Sequence, residues 1–134
     1  MIARARRRAR QLGLDDVEFL LGDVHSLPLR DRVADTCLLY NGLPAFARPA
    51  TVVREAARCL RPLGELRGSA LVRGAVARAD RSMAREAARA GGTMGSDGTA
   101  DDLQRWLADA GLQDIVVSTS GAMAAFTGRR PRTG

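Results

Sequence analysis

Apolar and polar positions along this chain follow two rhythms, and the breaks between them mark out short elements. Residues 2–12 are dominated by Ala and Arg, both strong helix formers, and Gly13 is a natural stop. Val17-Glu18-Phe19-Leu20-Leu21 is a compact apolar run between Asp15-Asp16 and Gly22-Asp23, the pattern of a buried strand. Asp23 to Arg32 is a polar loop containing Pro28. Asp35-Thr36-Cys37-Leu38-Leu39-Tyr40 predicts a second strand, ended by Asn41-Gly42. Leu43-Pro44-Ala45-Phe46 does not alternate like a returning strand, so a loop rather than a hairpin is expected after that pair.

The helical rhythm then takes over. Pro49 suits a first helical position, and Val52, Val53, Ala56, Ala57 and Leu60 fall on one face. Arg54, Glu55, Arg58 and Arg61 fall elsewhere around the wheel, and Pro62 and Gly64 are expected to end the helix. Glu65 to Val72 predicts a third strand, interrupted by Gly68. Residues 75–90 are Ala- and Arg-rich and predict a helix, and Gly91 to Gly98 predicts a loop. Thr99-Ala100-Asp101-Asp102 resembles a capping arrangement. Leu103, Trp106, Leu107 and Ala110 follow as the apolar stripe of a short helix closed by Gly111. Ile115-Val116-Val117 predicts a strand, Gly121 a turn, and Ala122 to Thr127 a last strand.

Strands alternating with helices argue for an α/β fold with a mostly parallel sheet, and the final pair of strands argues for an antiparallel edge at the C-terminal side. The length of 134 residues suits one domain with one core, assigned to residues 1–128, with 129–134 as a disordered tail. Phe19 and Trp106 are expected in the core.

Composition narrows the function classes. No run approaches the roughly 20 apolar residues of a membrane-spanning helix. The Arg-rich start lacks the apolar stretch of a secretory signal, and Asp15, Asp16 and Glu18 follow too soon for an organelle transit peptide. Cys37 and Cys59 stand apart in apolar surroundings, as two buried reduced thiols would, although spacing alone leaves a disulfide open. With no leader and no disulfide framework, the expected location is the cytoplasm. The net charge is +6 and every basic residue is arginine. Such a balance suits an anionic partner, or simply a GC-rich coding sequence, and the abundance of Ala, Arg and Gly favours the latter.

Several residues invite chemistry. His25, the only histidine, is either a candidate base or a solvated loop residue, and with distant cysteines it makes no metal site. Arg4, Arg6, Arg7, Arg8 and Arg10 read as a nucleic-acid contact or as the solvated face of a helix; the second reading is preferred. Met83, Met94 and Met123 suit a substrate pocket or gap-filling in a core.

Four local motifs, in order, give the chain a family resemblance. They are Phe19-Leu20-Leu21-Gly22-Asp23-Val24-His25-Ser26-Leu27-Pro28-Leu29, then Ala34 to Leu43, then Arg54-Glu55-Ala56-Ala57-Arg58-Cys59-Leu60-Arg61-Pro62-Leu63-Gly64-Glu65-Leu66, and finally Trp106-Leu107-Ala108-Asp109-Ala110-Gly111-Leu112 before a β-branched strand. Together they resemble the later two-thirds of a class I S-adenosylmethionine (SAM)-dependent methyltransferase of the small-molecule and quinone-biosynthesis group. The resemblance implies a Rossmann-like methyltransferase fold and SAM as cofactor. It implies a small-molecule methyl acceptor; the residues themselves argue against a membrane partner and disfavour nucleic acid. It assigns Asp23 to the adenine amino group, the Val24 amide to an adenine ring nitrogen, and Asn41 and Gly42 to the methionine part of the cofactor. Leu43, Phe46, Met83 and Met123 are candidate acceptor-lining residues. From the residues alone, Asp23 also reads as a loop or N-cap residue, and Asn41 equally as a turn residue.

The departures from the family pattern are as informative. No glycine-rich loop follows a first strand, and no acidic residue stands ready for the ribose. Leu63 replaces a glycine common in the Arg-Pro-Gly-Gly turn, and Pro44 stands where related sequences often carry His. The chain is therefore expected to lack the family's first two strands, which lie between those at 17–21 and 35–40. Two strand edges would then be exposed, and SAM binding by this chain would be poor or absent. The competing expectations are a non-catalytic remnant or interaction module, with a homodimer covering the exposed strands, and an Arg-driven nucleic-acid binder.

Overall fold

The computed structural model describes residues 1–40, 43, 46–74, 81 and 98–133. The elements are α1 (Ile2–Gln11), β1 (Ala34–Tyr40), α2 (Pro49–Cys59), β2 (Leu60–Leu71), α3 (Ala100–Asp109), β3 (Gln113–Ser120) and β4 (Met123–Arg129). The strands form one sheet in the order β1-β2-β4-β3. β1 and β2 are parallel, from Thr36 opposite Glu65 to Tyr40 opposite Ser69. β4 runs antiparallel to both of its neighbours. The α/β sheet with an antiparallel C-terminal edge is as the sequence predicts; among the described strands it is mixed rather than mostly parallel, with one parallel pair and two antiparallel ones. The predicted helix at 75–90 and the loop from Gly91 lie outside the described residues, apart from Arg81 and Gly98.

A period of two along the strands sorts the sheet into unlike faces. Leu66 and Ala70 of β2, Ala124 and Phe126 of β4, and Cys37 and Leu39 of β1 pack with Val52, Val53, Ala56 and Ala57 of α2 and Leu103 and Leu107 of α3. This is the core. On the other face Leu38 is 67% exposed, Tyr40 78% and Val116 59%. Among the described residues nothing covers them. Gly68 lies on the packed face opposite Phe126, and a Cβ there would run into the Leu39 carbonyl oxygen and stand 2.6 Å from the Phe126 ring. The apparent interruption in the third strand is thus the condition for close packing of three strands.

Local signals set the helix ends. Pro49 opens α2 at its first turn. Thr99 Oγ1 accepts the Asp102 amide at 3.1 Å and Asp102 Oδ2 accepts the Thr99 amide at 3.0 Å, a complete capping box for α3. Gly13, Gly111 and Gly121 turn the chain at positive φ. α2 ends at Cys59, earlier than Pro62 and Gly64 suggest, and β2 begins at once with Leu60. The β1–β2 register shifts between Ala34 and Thr36, and Leu63 sits in the left-handed region at φ 64°. The proline and glycine therefore serve a distorted strand start rather than a gap. Leu63 occupies the conformation that a glycine would take without strain.

Three expectations are corrected. Val17–Leu21 is not a strand: it is unpaired, Val17, Leu20 and Leu21 are exposed, and Phe19 is only half-buried. Its apolar pattern is that of a strand, but among the described residues no neighbouring strand offers it hydrogen bonds. Trp106 is half-buried at the rim of the core. Residues 129 and 130, assigned to the tail, are held. Arg129 ends β4 with its Nη2 2.5 Å from Glu65 Oε1, and Arg130 Nη1 donates to the carbonyls of Ala57, Arg58 and Leu60 at 2.8–3.0 Å. Those carbonyls close α2, so Arg130 is its C-terminal cap. Cys37 and Cys59 are both free, Cys59 buried and Cys37 half-buried. Among the described residues no helix is long and apolar enough to cross a membrane.

Candidate functional site

In an open α/β sheet the carboxyl ends of the parallel strands are where ligands gather. Here that end is marked by Tyr40 of β1 and Leu71 of β2, with Met123 of β4 opposite Leu71. Leu43 and Phe46 follow β1 directly, and the Phe46 ring meets His25 edge-on at a centroid distance of 6.2 Å. That contact draws the Asp23 loop to the same end.

The loop is a tight turn. The Ser26 amide donates to the Asp23 carbonyl at 3.0 Å. The His25 amide and His25 Nδ1 both lie 2.8 Å from Asp23 Oδ1. An ionised carboxylate only accepts, so Nδ1 carries the hydrogen. Gly22 folds against Pro28 so closely that a Cβ would stand 2.7 Å from the proline Cδ. This packs the Gly-Asp and Leu-Pro parts of the motif against each other. Donation from the His25 amide, and then from its ring, holds the Asp23 carboxyl below the usual carboxylate range, with Arg48 adding to the effect. His25 Nε2 is buried without a partner among the described residues.

What the turn leaves free matters most. Every recorded contact of the Asp23 side chain goes to Oδ1, and the side chain is 65% exposed. Among the described residues Oδ2 accepts nothing. Among the described residues nothing accepts the neighbouring Val24 amide hydrogen either, while the Val24 side chain packs inward on the core. A free acceptor beside a free backbone donor matches the edge of an adenine, which offers an amino group next to a ring nitrogen. Asp23 is exposed and the adjoining Val24 half-buried, so an acceptor and a donor stand side by side on this turn.

The remaining candidates divide. Phe46 and Met123 are half-buried at the ligand end of the sheet. Leu43 is 2% exposed and belongs to the core, packed near Ala70, Leu103 and Trp106. Asn41, Gly42, Pro44 and Met83 lie outside the described residues. The arginines at 4, 6, 7, 8 and 10 are carried by α1, of which only Ala9 is buried. Two side chains that the sequence does not single out meet this loop: Glu55 and Arg58 of α2 reach across to Leu27, Leu29 and Asp31. Their signal lay within the third motif, as a Glu and an Arg three apart off the apolar stripe.

Comparison with known proteins bears on the family and the fold. Residues 1–67 match the pattern of the methyltransferase domain family, and the chain belongs to that family, whose cofactor is SAM. An uncharacterized 37.1 kDa protein of a transposon from Streptomyces fradiae is 44% identical over 66 residues, which is 49% of this chain and 19% of that protein. The chain thus spans about a fifth of the length of the curated relative it matches. A SAM-dependent methyltransferase from Thermotoga maritima superposes with a TM-score of 0.76 at 19% identity, over 95% of this chain and 69% of its own. The [4+2]-cyclase SpnF superposes with a TM-score of 0.74 at 22% identity, over 96% and 62%. These likenesses establish the Rossmann-like methyltransferase fold. The cyclase shows that one fold carries more than one chemistry, so activity rests on the site.

Proposed function

We propose that the chain serves SAM-dependent methyl transfer to a small-molecule acceptor, with the Asp23–Val24 turn holding the adenine. The observation that carries this reading is the pair left free by the turn, Asp23 Oδ2 as acceptor and the Val24 amide as donor, within a chain of the methyltransferase family. Asn41 and Gly42 would border the methionine part, and Phe46 and Met123 the acceptor. When bound, SAM supplies an activated methyl group on a sulfonium that departs as a neutral thioether. Such a reaction asks the protein mainly to position groups and to exclude water, and only modest acid–base machinery. His25 contributes by fixing Asp23 Oδ1, which turns Oδ2 outward.

The test is calorimetric titration of the purified chain with S-adenosylhomocysteine. Weak binding is expected, since the glycine-rich loop is lacking, and Asp23→Ala should lower it about tenfold or more, because hydrogen bonds to charged groups are the stronger kind. Equal affinity of the two proteins would overturn the assignment of Asp23.

One observation favours a second reading, an interaction module. The open sheet face exposes Leu38, Tyr40 and Val116, and β1 has a free edge among the described residues. A homodimer closing that edge would give a doubled mass in light scattering, lost on Leu38→Asp. A monomer at all concentrations would dismiss it.

A further inference from the structure

We infer that Glu55 and Arg58 are positioning residues that clamp the adenine-binding turn to α2, an inference that rests on the function proposed above. Glu55 Oε2 accepts the Leu27 amide at 2.8 Å. Arg58 Nη2 donates to the Leu27 carbonyl at 3.2 Å. Both backbone groups of one loop residue are thus taken by two side chains of one helix. Arg58 Nη1 continues to the Leu29 carbonyl at 2.9 Å and to Asp31 Oδ1 at 2.6 Å. The two side chains also lock each other: Arg58 Nε meets Glu55 Oε1 and Nη2 meets Glu55 Oε2, both at 2.9 Å, a two-pronged fork.

Placement makes this a positioning device. Leu27 directly follows Ser26, whose amide closes the turn on the Asp23 carbonyl. No free residue lies between turn and clamp, so a shift of Leu27 is transmitted to Asp23 and Val24. The base of the clamp does not yield, because Val52, Val53, Ala56 and Ala57 on the same helix are buried. A solvated ion pair of this spacing would contribute little to stability. This one spends its hydrogen bonds on loop backbone instead. Supporting residues of this kind set the precision of a binding site.

The experiment compares the wild-type chain, Asp23→Ala, Glu55→Ala, Arg58→Lys and the Asp23→Ala/Glu55→Ala double variant. Each is titrated with S-adenosylhomocysteine, and amide hydrogen exchange is read at residues 24–29 and across β2. Glu55→Ala is expected to weaken binding about tenfold, the range seen when outer supporting groups are removed. It should also speed exchange at 24–29 while β2 stays protected. Arg58→Lys keeps the charge but not the fork, and is expected to fall between. In the Asp23→Ala background the Glu55→Ala change should cost much less, because both act through one turn. Equal losses with and without Asp23, or unchanged exchange at Leu27, would overturn the inference. Normal binding by Asp23→Ala would overturn the cofactor reading alone. A wild-type chain that binds nothing would also remove that reading, and the clamp would then stand or fall on exchange at Leu27.

Discussion

Two neighbouring stretches, residues 14–22 and 23–31, invert what their compositions suggest. The first is the apolar one, yet Val17, Leu20 and Leu21 lie exposed, and a long 3.5 Å contact from Arg6 Nη2 to the Phe19 carbonyl is among its few ties. The second is polar and irregular, yet its turn is closed on Asp23 and its second half is fixed by Glu55 and Arg58. Apolar character supplies a reason to be buried but not a surface to be buried against. Order came to the stretch whose backbone groups found partners.

The comparison can be broken from the side of the sheet that supports the held loop. Gly68→Ala is expected to have the largest effect, because its new methyl meets backbone and an aromatic ring on a face that cannot give way. Overpacking of this kind costs about 1–3 kcal/mol or more, read as a lower urea midpoint at unchanged slope. Gly22→Ala acts on the loop itself, where the new methyl meets the stiff Pro28 ring. A loss of about 1 kcal/mol is expected, with a faster-exchanging Ser26 amide.

Acid should undo the held stretch before the bare one. The fork of Arg58, and then the Leu27 amide, hold the Glu55 carboxyl below its usual range; the Thr99 backbone does the same for Asp102 in the α3 cap. Depressed carboxylates contribute stability above their unfolded pKa, about 4. That contribution is lost as pH falls through the lower folded values. Thermal scans from pH 6 to pH 2.5 should show a falling midpoint below about pH 4, and Glu55→Gln should flatten part of the fall. The smallest effect sharpens the contrast: Leu21→Ser, in the unpartnered stretch, should change stability by less than about 0.5 kcal/mol.

These outcomes bear on how much the sequence revealed. Helix starts and stops were legible because they are local chemistry: Pro49, the Thr99–Asp102 box and Gly111 each act within one turn. The loop at 23–32 was legible as a loop, but its closure was not: His25 read as a base or a solvated residue, whereas its amide and ring both bond Asp23 two positions away. The failures are non-local. The run at 17–21 has the right pattern and no neighbour, and no pattern in a single segment reports that. The start of β2 was hidden because Pro62 and Gly64 are breakers in isolation, whereas Leu60 pairs with Ala34 across the sheet. Glu55 and Arg58 act on residues 27 to 31 positions away, beyond the reach of a helical wheel.

One feature of the sheet governs how the molecule comes into being. β4 is the last of the described strands, yet it sits between β2 and β3, and the arginine after it closes a helix some seventy residues earlier. During synthesis the last carbonyls of α2 lack Arg130, and β3 lacks its partner among the described strands, until β4 has left the ribosome. Completion of the sheet therefore waits on a distant pairing, the kind that closes slowly. A nascent chain halted before Met123 would hold α1, β1, α2 and β2 without the strand that joins them to the rest, and would be a ready client for chaperones.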